Sequence, residues 1–150
     1  DSVRVFARAV VPRFTIDQVR DSLSVTAISS GDSEKRSIAQ TLTTISYYIV
    51  TLSKSIFPVG NQPAGSVMTY TIVYNNSGSA AVNGFTVIDT TPAETDYIPN
   101  TVKVNGSSVG DNTGPLSITN DSQNNKVISV SIGTLNAQAS GSVEFKVKIK

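Results

Sequence analysis

Apolar and polar residues alternate along most of this chain in short runs, broken by turn formers at intervals of about 8 to 12 residues, the pattern of a β-sandwich or barrel. The clearest run is Ser142–Lys150, where Val143, Phe145, Val147 and Ile149 point one way and Glu144, Lys146, Lys148 and Lys150 the other. Such a strand belongs to an antiparallel sheet with one face in water, and its lysines discourage edge-to-edge aggregation. The same alternation predicts strands over Ser46–Phe57, Ser66–Asn75, Val82–Thr90, Tyr97–Val104, Leu116–Thr119 and Lys126–Ile132. Between them lie Pro58 and Gly60, the Asn75–Ser79 run, Thr91-Pro92, Asn105-Gly106, and two polar loops at Asp111–Pro115 and Asp121–Asn125. Asn105-Gly106 is the pair that a tight hairpin demands, since both residues tolerate positive φ.

The first 45 residues form a separate extension in this reading. Ser22–Ser29 and Arg36–Ile45 predict a hairpin around Ser30–Ser33, and Thr15–Arg20 a helical turn or a bend. Ser2–Val11 alternates Val3, Val5, Ala7, Ala9 and Val11 against Arg4, Phe6, Arg8 and Val10, then stops at Pro12. The predicted organisation is therefore an N-terminal strand and hairpin extension at 1–45 and an immunoglobulin-like antiparallel β-sandwich at 46–150, all-β throughout.

Composition agrees. Roughly a third of the chain is Ser, Thr or Asn, well above ordinary usage, and the apolar fraction is rich in Val and Ile, which suit a pleated surface. Twelve basic and 11 acidic residues leave a net charge of +1, so no strong field recruits nucleic acid or an anionic membrane. No apolar run approaches the roughly 20 residues of a transmembrane helix. The start at Asp1 implies a processed mature form or an excised fragment. His and Cys are both absent, which removes the usual neutral-pH base, the thiolate nucleophile and the preferred zinc ligands. A carboxylate hydrolase built on Asp89 with Glu94 or Asp96 is disfavoured, because residues of one turn do not flank a bond from opposite sides. The expectation is a protein that is not an enzyme and needs no cofactor.

Four ordered blocks carry a family resemblance: Gly65–Gly78 (GSVMTYTIVYNNSG), Phe85–Ala93 (FTVIDTTPA), Asp96–Asn100 followed by Val104-Asn105-Gly106, and Ile132–Leu135 leading through Ala139–Phe145 (ASGSVEF). Together they resemble the conserved repeat domain of bacterial and archaeal surface proteins (domain of unknown function eleven) over about two thirds of the chain. Thr91 stands where that family has Leu or Ile, and Asn136-Ala137-Gln138 where it has Ala-Pro-Gly. The resemblance implies an immunoglobulin-like sandwich in a secreted, cell-wall or outer-surface protein, often in tandem copies, without known enzymatic activity. Some surface-protein sandwiches also crosslink a first-strand lysine to a buried Asn. Here Lys54 is the lysine, the last strand offers no Asn, and a solvent-facing Lys54 is the expectation.

Three kinds of site remain. Asp89, Glu94 and Asp96 are candidate Ca²⁺ ligands, against the reading in which Asp89 serves the turn before Pro92. Asn75, Asn105 and Asn120 head glycosylation sequons on predicted turns. The strand at Ser2–Val11 either stays at the edge of its own domain or adds to an open sheet of a neighbouring subunit, with Val3, Val5, Phe6, Ala7, Ala9 and Val11 as contacts. Head-to-tail addition does not close, so it generates a filament. The function expected is a structural subunit of an extracellular surface assembly (filament, pilus-like fibre or surface layer) that polymerises with itself. The alternative is an adhesive or carbohydrate-binding spacer of a larger surface protein, with a glycan or surface partner. The two differ in whether the isolated chain self-associates.

Overall fold

The computed structural model describes Arg8, Val10 and residues 17–150, and the chain divides into two compact units, Asp1–Tyr47 and Tyr48–Lys150. In the first unit, β1 (Arg20–Ile28) and β2 (Arg36–Thr44) form an antiparallel hairpin with Arg20 opposite Thr44 and Ile28 opposite Arg36. Its turn is held by Ser29 and Lys35 main-chain pairing and by Asp32, whose side chain accepts the Glu34 N–H. At its foot, the Asp17 N–H donates to the Tyr47 hydroxyl at 2.8 Å and the Tyr47 N–H to the Asp17 carboxylate at 3.2 Å. Thr15–Arg20 resolves, where described, as a turn at Asp17 and Gln18 rather than a helix.

The second unit is an antiparallel β-sandwich. One sheet has six strands: β3 (Val50–Phe57), β4 (Val67–Asn76), β11 (Ser140–Ile149), β7 (Lys103–Val104) and β8 (Ser107–Ser108) in that order, with β6 (Thr95–Tyr97) also pairing β11. Facing it is a three-stranded sheet ordered β5 (Val82–Thr90), β10 (Lys126–Leu135), β9 (Leu116–Asn120). Every strand pairing among the described residues is antiparallel. The alternation read from the sequence decides which side chains meet between the sheets. Met68, Ile72, Tyr74, Val143, Phe145 and Val147 come from the large sheet, and Val87, Leu116, Ile128 and Val130 from the small one. Each large side chain fully buried here is worth roughly 1.5–3 kcal/mol. Tyr74 and Phe85 meet edge-on across the sandwich, and Tyr70 lies against its cross-strand neighbour Phe145, both with ring centroids 5.4 Å apart.

Three predicted boundaries move. The run Ser46–Ile49 is not strand, so β3 begins at Val50. Tyr97–Val104 divides into β6 and β7, because Pro99 cannot donate to the ladder and Asn100 turns the chain with φ of 57°. Strand β10 runs on to Leu135 past a slip in register at Ser131–Leu135, where Gly133 takes positive φ. The hairpin at Asn105-Gly106 forms as predicted, with φ of 50° and 81° between β7 and β8.

Candidate functional site

The most unusual surface of the sandwich is a seam where the edge strands β3 and β5 form two lips. Pairing with β4 puts Val50, Leu52, Lys54 and Ile56 on the inward face, opposite Asn76, Tyr74, Ile72 and Tyr70. An inward leucine is normally covered, yet Leu52 is 58% exposed. Among the described residues the small sheet ends at β5 and leaves the inner face of β3 overhanging. What remains is an open cavity of about 210 Å³ lined by Leu52, Ser53, Lys54, Ile72, Val87 and Asp89 among others. On the outer face of β5, Ile88 is 66% exposed.

Lys54 is exposed, as expected, but its side chain also reaches across this seam. It has the parity of Leu52 and Ile56, and its ammonium sits 4.4 Å from the centre of the Tyr70 ring. From there it donates to Asp89 Oδ1 at 2.9 Å and lies 2.6 Å from Oδ2. The two side chains are 41% and 16% exposed respectively. Asp89 Oδ1 also accepts the Thr90 N–H at 2.9 Å, whereas Oδ2 is shut off from water and has the ammonium as an ionic neighbour only. The sandwich is thus tied at its mouth by one ion pair joining opposite sheets, and the partner of Lys54 is a carboxylate, not the amide a Lys–Asn crosslink would use.

This pairing separates the three acidic residues considered for calcium. Asp89 is turned to Lys54, Asp96 lies 3.8 Å from the Lys150 ammonium, and Glu94 offers its carbonyl to the Lys150 N–H. Among the described residues no group of three or more acidic, His or Cys side chains converges to hold a metal. Asp121 in the neighbouring loop is turned inward upon that loop. The Asn125 side chain above all, with the N–H groups of Asn125 and Gln123, holds its carboxyl below the usual carboxylate range.

The sequon residues have distinct settings. Asn75 does not lie on a turn: it is inside β4, paired with Thr51 on one side and Ser140 on the other. Asn105 is on the β7–β8 turn, but its amide oxygen accepts the Ser142 N–H at 2.8 Å and the Tyr74 hydroxyl at 3.2 Å. Asn120 ends β9, where it donates to Asn124 and accepts from Lys126, both at 2.8 Å. Val3, Val5, Phe6, Ala7, Ala9 and Val11 lie outside the described residues.

Hairpin β1–β2 is a second exposed surface. All nine residues of each strand are exposed, with Leu23 and Val25 on one face and Ile28, Ile38 and Leu42 on the other. A two-stranded hairpin with apolar residues on both faces is at best marginal in water.

Three features escaped the sequence reading. The first is Asn76, fully buried at the end of β4. Its Oδ1 accepts the Ile49 and Gly78 N–H groups at 3.1 Å, and its Nδ2 donates to the carbonyls of Ala80 at 2.8 Å and Asn136 at 3.1 Å. The signal was present, since Asn76 continues the buried parity of Met68, Ile72 and Tyr74. The second is Tyr97, whose hydroxyl donates to Asp111 at 2.6 Å; burial first, then that carboxylate, push the phenol well above its usual value. The third is Thr91, buried at 3% exposure, whose hydroxyl accepts the Lys126 N–H at 3.0 Å. A polar residue at that turn therefore has a partner that Leu or Ile would not supply.

No helix among the described residues is long and apolar enough to cross a membrane. Compared with protein-family models, curated proteins and solved structures, the chain matches none of them.

Proposed function

We propose that this chain is a structural subunit of an extracellular surface filament or layer, joined to its neighbours by β-strand addition from residues 1–12, and that it performs no catalysis. The observation that carries this reading is the hairpin β1–β2, with both faces exposed and apolar residues on each. Hydrophobic surface of that kind is stabilised when another chain covers it, and ordered self-assembly covers it in every subunit at once. The alternating Val and Ala run that precedes it supplies a strand able to pair with a neighbour's sheet edge. The extracellular setting rests on the resemblance to prokaryotic surface repeats, on the absence of Cys, and on a composition rich in Ser, Thr and Asn. Removing residues 1–12 and measuring particle size by light scattering and negative-stain microscopy tests the proposal. The full chain is expected to form extended particles and the truncated chain to remain a folded monomer. A full chain that is a monomer at every concentration would overturn it.

The alternative, a carbohydrate-binding spacer, draws on one feature: a polar cavity of about 280 Å³ at one end of the sandwich, lined by Thr91, Asp96, Tyr97, Asn125, Lys126 and Lys150 among others. That reading predicts a monomer with glycan binding that a Lys126→Ala substitution weakens on a glycan screen.

A further inference from the structure

We infer that the seam between β3 and β5 is the acceptor: the strand Ser2–Val11 of a second copy lies along the free edge of β5 and becomes a fourth strand of the small sheet. This rests on the strand-addition reading and adds the place where the strand is received.

The imbalance of the two sheets leads to this assignment. The small sheet stops at β5, and a strand added there would stand across from β3, the strand whose inner face is uncovered. It would cover Leu52 from the side now open to water. The hydrogen-bonding requirement points the same way. Among the described residues, strand β5 pairs with β10 on one side only, so its other edge offers main-chain donors and acceptors to an extended segment.

The occupant is identified by length and pattern. Strands β3 and β5 are eight and nine residues long. Ser2–Val11 is a run of matching length, closed by Pro12, and no other stretch outside the two sheets and the hairpin alternates over that length. Its apolar face carries valines toward both ends and Ala7 and Ala9 in the middle. In the seam, the Lys54 side chain leaves the middle of β3 and crosses to Asp89 beside the C-terminal end of β5, and Leu52 and Ile56 lie on either side of Lys54. Small residues over the ion pair and branched residues beside it fit such a floor. The opposite face of the segment, with Arg4, Phe6, Arg8 and Val10, would then be turned outward, so this placement removes Phe6 from the contacts read from the sequence.

A chain without Cys allows a direct test with single cysteines. Side chains on one face of paired strands lie about 5 Å apart across the pair, within reach of a disulfide once the register is matched. Full-length variants Phe6→Cys, Arg8→Cys and Val10→Cys supply donors on the outer face. Ile88→Cys and Thr86→Cys supply acceptors on the exposed outer face of β5, where replacement leaves the core untouched. Leu23→Cys on the hairpin is the control. Pairs of variants are mixed, allowed to assemble, oxidised mildly and run on a non-reducing gel, with microscopy of the same samples. The expected result is a disulfide-linked band of doubled mass for at least one donor with Ile88→Cys or Thr86→Cys, and none with Leu23→Cys. Assemblies that form without any β5 crosslink, or that crosslink through Leu23→Cys, overturn the seam assignment while strand addition stands. No assembly of any variant or of the parent chain removes both.

Discussion

Replacing Asn76 by leucine is expected to be among the most damaging single changes in the sandwich. The amide is fully buried and ties three separate stretches of chain: Ile49 before β3, Gly78 and Ala80 after β4, and Asn136 after β10. Leucine has the same branched outline and number of heavy atoms but none of the amide's donors or acceptors, so the change removes all of these hydrogen bonds at once. A net hydrogen bond is worth about 1 kcal/mol, and a donor left unsatisfied in the interior costs about 1–3 kcal/mol. Three of the five bonds reach partly exposed partners that water can rehydrate, whereas those to Gly78 and to the Leu135 carbonyl are buried. Together these give a loss of about 4 kcal/mol. With a urea dependence of about 1.5 kcal/mol per molar, the midpoint of unfolding falls by roughly 2–3 M. The chain has no Trp, so intrinsic tyrosine fluorescence follows the transition through Tyr70 and Tyr74. An Asn76→Leu midpoint within about 0.5 M of the parent would refute the reasoning, by showing that water or relaxation satisfies those main-chain groups at little cost.

Other consequences are open to measurement. A Cβ at Gly141 would collide with the Tyr74 hydroxyl and the Asn105 amide oxygen, so Gly141→Ala is expected to lower stability by about 2 kcal/mol in a thermal melt; an unchanged melt would show that Tyr74 can move aside. Lys54→Met leaves the shielded Asp89 oxygen without a counter-charge. A double-mutant cycle with Asp89→Asn should give a coupling of about 0.5–1 kcal/mol that shrinks in high salt, and a salt-independent coupling would contradict an ionic tie. Tyr97 keeps its proton in the folded state beyond the pH at which the unfolded chain loses it. Stability should therefore fall as pH rises above about 10, and Tyr97→Phe should flatten that alkaline slope; an identical slope in the variant would remove Tyr97 as its cause.

Alternation by itself determined the all-β class and most of the strands, because side chains in a strand point to opposite faces with a period of two residues. Val143, Phe145 and Val147 had to be inside and Lys146 and Lys148 outside in any sheet that used them. The Asn105-Gly106 turn was equally local, since it depends on two residues' own φ preferences. Non-local relations were not legible. Alternation places Lys54 on the same face as Leu52 and Ile56, but its role depends on Asp89, which arrives 35 residues later from the other sheet. The acids Asp89, Glu94 and Asp96 are close in sequence, and tertiary structure separates them by pairing Asp89 with Lys54 and setting Asp96 beside Lys150. Asn76 showed its burial by parity, while the five partners that make burial tolerable come together only when the segment before β3 and the loops after β4 and β10 close over it. The open seam is of the same kind. One strand's pattern says which residues face inward, and only the count of strands in the opposing sheet says whether anything covers them.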